Sequence, residues 1–218
     1  MLFRSVVTRL LLTRHGESVA NVARRFSGRE DVALTPLGRR QARALGRRLR
    51  EFAIDAAYVS PLIRARETAE IALRGRGIGA VPEPGLREIS FGDWEGCTFD
   101  EIRERWPNEW GQLRAFDERF CAPNGEPFTE AQARVVEAAV AIVGRHPDQT
   151  VLLTAHGGTL QLLLSHVLGM PAGSMFRIAT GNCGLSIVEF HGERPIVTLV
   201  NDCAHTQPRP RSQRQATP

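Results

Sequence analysis

The order of segments predicts a layered α/β fold with a mainly parallel central sheet flanked by helices. Strand-like runs recur along the chain: VVTRLLLT (6–13), AAYV (56–59), VLLTA (151–155), LSIVEF (185–190) and PIVTLV (195–200). Helical patterns lie between them, and that alternation is the mark of parallel strands joined by helical crossovers. A chain of 218 residues suits one domain with a sizeable core.

Each helix has a start signal. Thr35 and Pro36 read as N-cap and first helical residue, with Leu37, Ala44, Leu45, Leu49 and Phe52 on one face. Ser60 and Pro61 repeat that signal before a helix reaching toward Leu73. Thr129 with Gln132 reads as a capping box before a helix to about Val143. Leu160 to Leu168 reads as a fully buried helix. Residues 92–128 break the rhythm with Trp94, Phe99, Trp106, Trp110, Phe116, Phe120 and Phe128, a partly helical excursion over one end of the sheet. The domain is expected to span 1–204. Residues 205–218, rich in Pro, Arg and Gln, are expected to form a disordered tail.

Composition excludes several function classes. No apolar run is long enough for a transmembrane helix, and the arginine-interrupted start does not read as a signal peptide. The net charge is +4, but the tail carries three of those charges, which leaves a nearly neutral body and argues against nucleic acid. Every basic residue is arginine, so a P-loop lysine and Schiff-base chemistry are excluded. Cys97, Cys121, Cys183 and Cys203 form no CxxC pair and read as free thiols of a reducing cytoplasm. No metal-ligand spacing stands out, and no cofactor is expected.

Three strand exits carry the chemistry. The first strand delivers Arg14, His15 and Gly16; the second leads to a helix with Arg64 in its first turn; the third delivers His156, Gly157 and Gly158. In a parallel sheet these exits share the carboxyl edge, where ligands bind. Adjacent strand residues face opposite ways, so Arg14 and His15 share a ligand only where the chain turns, which Gly16 permits. Two arginines with helix-start amides make an anion site suited to phosphate. One histidine, kept neutral by neighbouring positive charge, could be a nucleophile; the second, protonated, would stabilise the transferring group. A proton donor is also needed, and Glu17, Glu88, Asp93 and Glu95 are the candidates.

LTRHGESVAN (12–21), SGREDVALTPLGRRQA (27–42), SPLIRARETA (60–69), LREISFGDWEG (86–96) and AHGG (155–158) together resemble the histidine phosphatases of the phosphoglycerate mutase-like superfamily. The resemblance implies a three-layer sandwich. It implies that His15 carries a phosphohistidine, that Arg14, Arg64 and His156 grip the phosphate, and that Glu88 is the proton donor and then the base. It places Asn21, Ser27, Gly28 and Gly157 in the phosphate- and substrate-binding set.

Within the superfamily, LREISFGDWEGCTFDEI is similar to the phosphatase branch, which includes α-ribazole phosphatases and broad-specificity phosphatases. The expected partner is a small-molecule phosphate ester, with no nucleic acid or membrane partner. A cofactor-dependent phosphoglycerate mutase is the alternative. A non-catalytic phospho-ligand binding module is the alternative of another class. The aromatics of 92–128 read first as packing, with a substrate wall that could stack a base-like leaving group second. The remaining histidines read as structural: His146 at a helix end, His166 in an apolar helix, His191 and His205 at the surface. The arginines at 39, 40, 43, 47, 48 and 50 read as a solvated helix face.

Overall fold

The computed structural model describes residues 7–207. Six strands form one sheet: β1 (Val7–Arg14), β2 (Ala56–Val59), β3 (Ala80–Pro82), β4 (Thr150–Ala155), β5 (Leu185–His191) and β6 (Arg194–Asp202). Their order is β3-β2-β4-β1-β5-β6. The first four in that order run parallel, β5 runs antiparallel to β1, and β6 runs antiparallel to β5.

β1 lies at the centre because its residues can be buried on both faces. Leu10, Leu11 and Leu12 are all fully buried. Leu10 and Leu12 join one core with Val151 and Leu153 of β4, and Leu11 joins the opposite core with Leu152. This is the two-residue period of a strand between two helical layers. Each such leucine contributes about 1.5–3 kcal/mol of burial.

Helices α2 (Pro36–Arg48) and α3 (Ile63–Ala72) cover the Leu11 face. Helices α6 (Phe128–Arg145) and α7 (Gly157–Val167) cover the Leu10 and Leu12 face. The short α1 (Val19–Val22) and the pair α4 (Phe99–Arg105) and α5 (Pro107–Arg114) sit in the connections. Among the described residues no helix is long and apolar enough to cross a membrane.

Several start signals differ from expectation. Thr35 caps α2 as expected, its hydroxyl accepting from Gly38 N at 3.0 Å, and Ala44, Leu45 and Leu49 are buried, but Leu37 is exposed and Phe52 only half-buried. Ser60 does not cap α3, whose N-cap is Leu62. Thr129 lies inside α6, which begins at Phe128 after Pro127 because the buried Phe128 is drawn in by its amide bond to Phe120 O (3.1 Å). True capping boxes occur at Ser18 with Asn21 and Thr98 with Glu101.

Two histidine readings are corrected. His166 is exposed, because it falls on the outer face of α7. His205 is half-buried in a 3-10 turn (Ala204–Thr206), and its Nε2 meets Cys183 O at 2.9 Å. The chain thus continues in contact with the sheet past residue 204; residues 208–218 of the expected tail lie outside the described residues. His146 ends α6 and bridges Tyr58 OH and Gln149 Oε1. In the arginine face, Arg39 pairs with Glu67 and Arg48 with Asp202.

Candidate active site

The parallel strands deliver their side chains to one edge. Arg14 ends β1, Arg64 lies in the first turn of α3 after β2, and His156 follows β4 directly. Because β5 runs antiparallel to β1, with Leu185 opposite Thr13, the segment 179–184 enters the sheet at this same edge.

His15 is almost fully buried and its main chain is held from both sides. Its N–H donates to Ala155 O at 3.0 Å, and the Cys183 N–H lies 3.1 Å from Arg14 O and 3.3 Å from His15 O. Its Nδ1 lies 2.7 Å from Gly16 O. A carbonyl only accepts, so the bond assigns the proton to Nδ1 and leaves Nε2 as a lone pair. Arg64 Nε–H donates to that Nε2 at 3.3 Å. Burial first, then the charges of Arg14 and Arg64, hold the ring well below the ordinary histidine range.

Gly16 serves this arrangement differently from expectation. Its φ is not positive. Its role is close approach: a Cβ here would strike the Gly38 backbone, and a Cβ on Gly38 would strike Glu17. The two glycines let the β1–α1 turn lie directly on the start of α2.

Arg64 is fully buried, and three acceptors hold it: Gly28 O and Glu30 O, both at 2.7 Å, and His15 Nε2. Arg14 donates to Thr180 O at 2.6 Å. Burial lowers both guanidinium pKa values from the ordinary range, and Glu88 opposes the shift. Both remain cations, given how high arginine starts.

His156 Nε2 lies 2.7 Å from Ser60 Oγ, which itself accepts from Leu62 N at 3.3 Å. The serine proton has no other acceptor in reach among the described residues, so it points to Nε2 and the ring proton sits on Nδ1. The expectation of a protonated second histidine is corrected. Burial, then Arg64, His15 and Arg14, hold His156 well below its ordinary range. The neutral ring is nonetheless a donor through Nδ1. The buried His156 Nδ1 and Arg14 Nε have no hydrogen-bond partner among the described residues. The two histidine rings lie 5.2 Å apart.

Of the four candidate carboxylates, Glu88 lines the cleft. Its oxygens accept from Gly158 N (3.1 Å), Thr159 N (2.9 Å), Thr159 Oγ1 (3.1 Å) and Ile89 N (3.0 Å), so the first turn of α7 positions it. The other three are engaged elsewhere. Glu17 accepts from Thr35 Oγ1, Asp93 from Asn124, and Glu95 from the amides of Arg29 and Phe91. Glu95 thereby ties the loop at Gly28 to the segment after Glu88. Gly28 has φ +40°, and a Cβ there would enter the Glu95 carboxylate.

The cleft has a volume of about 380 Å³ and is bordered by Arg14, Asn21, Ser27, Gly28 and Glu88. Gly157 lies against the Arg14 guanidinium, where a Cβ would be in contact with it. Asn182, which sequence reasoning passed over, donates to His15 O (3.1 Å) and Asn21 Oδ1 (3.2 Å). The polar stretch TGNC before β5 was its signal. Ser60, Thr159, Thr180 and Arg24 were also missed.

Arg24 ends α1 in an unusual way. Arg24 N bonds Asn21 O and Arg25 N bonds Ala20 O, the Schellman pattern, and Arg24 takes φ 53° at the position glycine usually fills. The left-handed region costs a non-glycine residue roughly 1–2 kcal/mol.

Residues 10–203 match the model of the histidine phosphatase superfamily (branch 1). A probable phosphoglycerate mutase, GpmB, of Erwinia tasmaniensis is 33% identical over 202 residues, covering 90% of this chain and 94% of that protein. The structure of Bacillus stearothermophilus YhfR is 38% identical with a TM-score of 0.85, covering 92% of this chain and 100% of that one. An α-ribazole phosphatase from Shigella flexneri is 30% identical with a TM-score of 0.81, covering 89% of this chain and 96% of that one. The chain is an enzyme of the phosphatase type and belongs to branch 1 of the histidine phosphatase superfamily.

Proposed function

We propose that the protein hydrolyses small-molecule phosphate monoesters through a phosphohistidine on His15. The observation that carries this reading is the pinned ring: Nδ1–H is held by Gly16 O, and Nε2 keeps its lone pair, facing the buried Arg64 guanidinium. In the first step Nε2 attacks phosphorus and the ester P–O bond breaks. Glu88 gives its proton to the leaving oxygen. In the second step water attacks phosphorus, Glu88 takes its proton, and the P–N bond breaks to release phosphate. Arg14, Arg64 and the Nδ1–H of His156 hold the phosphoryl oxygens, with Asn21, Ser27, Gly28 and Gly157 around them. The unpartnered donors Arg14 Nε and His156 Nδ1 support this assignment.

Guanidinium groups supply the positive charge in this reading, which calls for no metal. The four cysteines are free thiols, which supports a place in the reducing cytoplasm. Identity to the probable phosphoglycerate mutase GpmB favours a second reading, in which the phosphoryl group returns to another hydroxyl. Brief reaction with labelled substrate should leave an acid-labile, base-stable label, lost in His15→Ala along with turnover. Label retained in that variant refutes the nucleophile. Interconversion of 2- and 3-phosphoglycerate faster than phosphate release decides for the mutase.

A further inference from the structure

Beyond the phosphate-gripping residues, the cleft has two features that no step above uses. Arg24 borders it, exposed, with no hydrogen bond or ion pair from its side chain among the described residues. Its neighbour Arg25 is committed: it binds Gly96 O and pairs with Glu101 Oε2 at 3.2 Å. On the same cleft, Phe99 is 49% exposed, although it packs edge-on to Phe26 at 4.9 Å and Phe91 lies behind that ring. The capping box of Thr98 and Glu101 fixes the start of α4, and with it this exposed ring. A free cation and a half-exposed aromatic ring thus border one small cleft.

We infer that the leaving alcohol of the substrate has an apolar or aromatic body that rests on Phe99 and a carboxylate that pairs with Arg24. This rests on the hydrolase reading above. Charge supports it. Arg25 is balanced by Glu101, and Arg24 remains for one more negative charge. A guanidinium takes a carboxylate through paired N–H donors. The backbone supports it too. Glycine would fit the left-handed position at the end of α1 without strain, yet arginine occupies it, which points to a task for the side chain.

The test compares benzyl phosphate with 4-carboxybenzyl phosphate, esters that differ in the carboxylate far from phosphorus, by phosphate release. Wild-type enzyme should favour the carboxylated ester at least tenfold in kcat/KM, chiefly through KM. Arg24→Gly should bring that ratio close to one, with Tm equal to or above wild type because the left-handed strain is relieved. Arg24→Lys should keep part of the preference. Equal kcat/KM for the two esters in wild type, or an undiminished ratio in Arg24→Gly, overturns the inference while leaving the hydrolase reading in place. Failure to hydrolyse either ester or p-nitrophenyl phosphate overturns both.

Discussion

Ser60→Ala tests how the second histidine works. In the folded protein the Ser60 hydroxyl sits 2.7 Å from His156 Nε2, with both residues fully buried. Removing it leaves a buried ring nitrogen without a partner, a loss of about 1–3 kcal/mol. It also releases the tautomer. With Nε2 unmet, the ring proton can move there, and Nδ1 then turns a lone pair toward the phosphoryl oxygens. If that same energy is lost from the transition state, kcat/KM falls by about five- to 150-fold. The stability loss corresponds to about 2–10 °C in Tm for a chain of this size. The assay is steady-state hydrolysis of p-nitrophenyl phosphate, a thermal melt and the inhibition constant for orthovanadate. A purely structural role lowers Tm without moving the vanadate constant, whereas the tautomer role weakens vanadate by a factor similar to that in kcat/KM. A folded Ser60→Ala enzyme with wild-type turnover and vanadate affinity refutes the reasoning.

Two further outcomes are expected. Glu88→Gln keeps the shape but removes the proton donor, so kcat/KM for alkyl phosphates should fall roughly a hundred- to ten-thousand-fold, and that for p-nitrophenyl phosphate much less; equal losses for both substrates count against the acid role. His15 and His156 are both buried with their pKa values pushed down, so below about pH 6.5 the unfolded chain takes up protons that the folded chain refuses. Stability should therefore be full above that pH and fall as pH drops below it, with these two rings adding a slope of up to about 2.7 kcal/mol per pH unit. Denaturant melts from pH 7.5 to 5 check this, and a His15→Asn/His156→Asn variant with an unflattened slope contradicts it.

Much of the framework can be read from local pattern. The buried leucines of β1 and the Thr35-Pro36 start are properties of contiguous residues, and they place Arg14, His15, Arg64 and His156 on one edge. What the pattern could not show are pairings across the fold. Glu17, Glu88, Asp93 and Glu95 are equally acidic in sequence, and only the contact between residues 88 and 158–159 separates them. Ser60 has the spacing of a helix cap, but a histidine 96 positions away takes its hydroxyl. Thr129 carries a capping signal that tertiary packing at Phe128 overrides. Gly16 reads as a flexible turn, whereas its reason lies in Gly38, on another element. The protonated reading of the second histidine meets burial and the nearby Arg64, His15 and Arg14, which lie far from it in sequence and lower its pKa.

The position of β1 has a consequence for how the enzyme fails. The proposed nucleophile, His15, follows the central strand, bonded to β4 on one side and to the entry of β5 on the other. Its amide can open to solvent only when those neighbours part, so the reactive centre shares the fate of the whole sheet. Among the described residues, helices α4 and α5, held in the connection between Glu88 and α6, make no main-chain hydrogen bond to a strand. Partial loosening on warming is therefore expected to begin around Phe99, so on the proposed reading selectivity for the alcohol fades before phosphoryl transfer to His15 does.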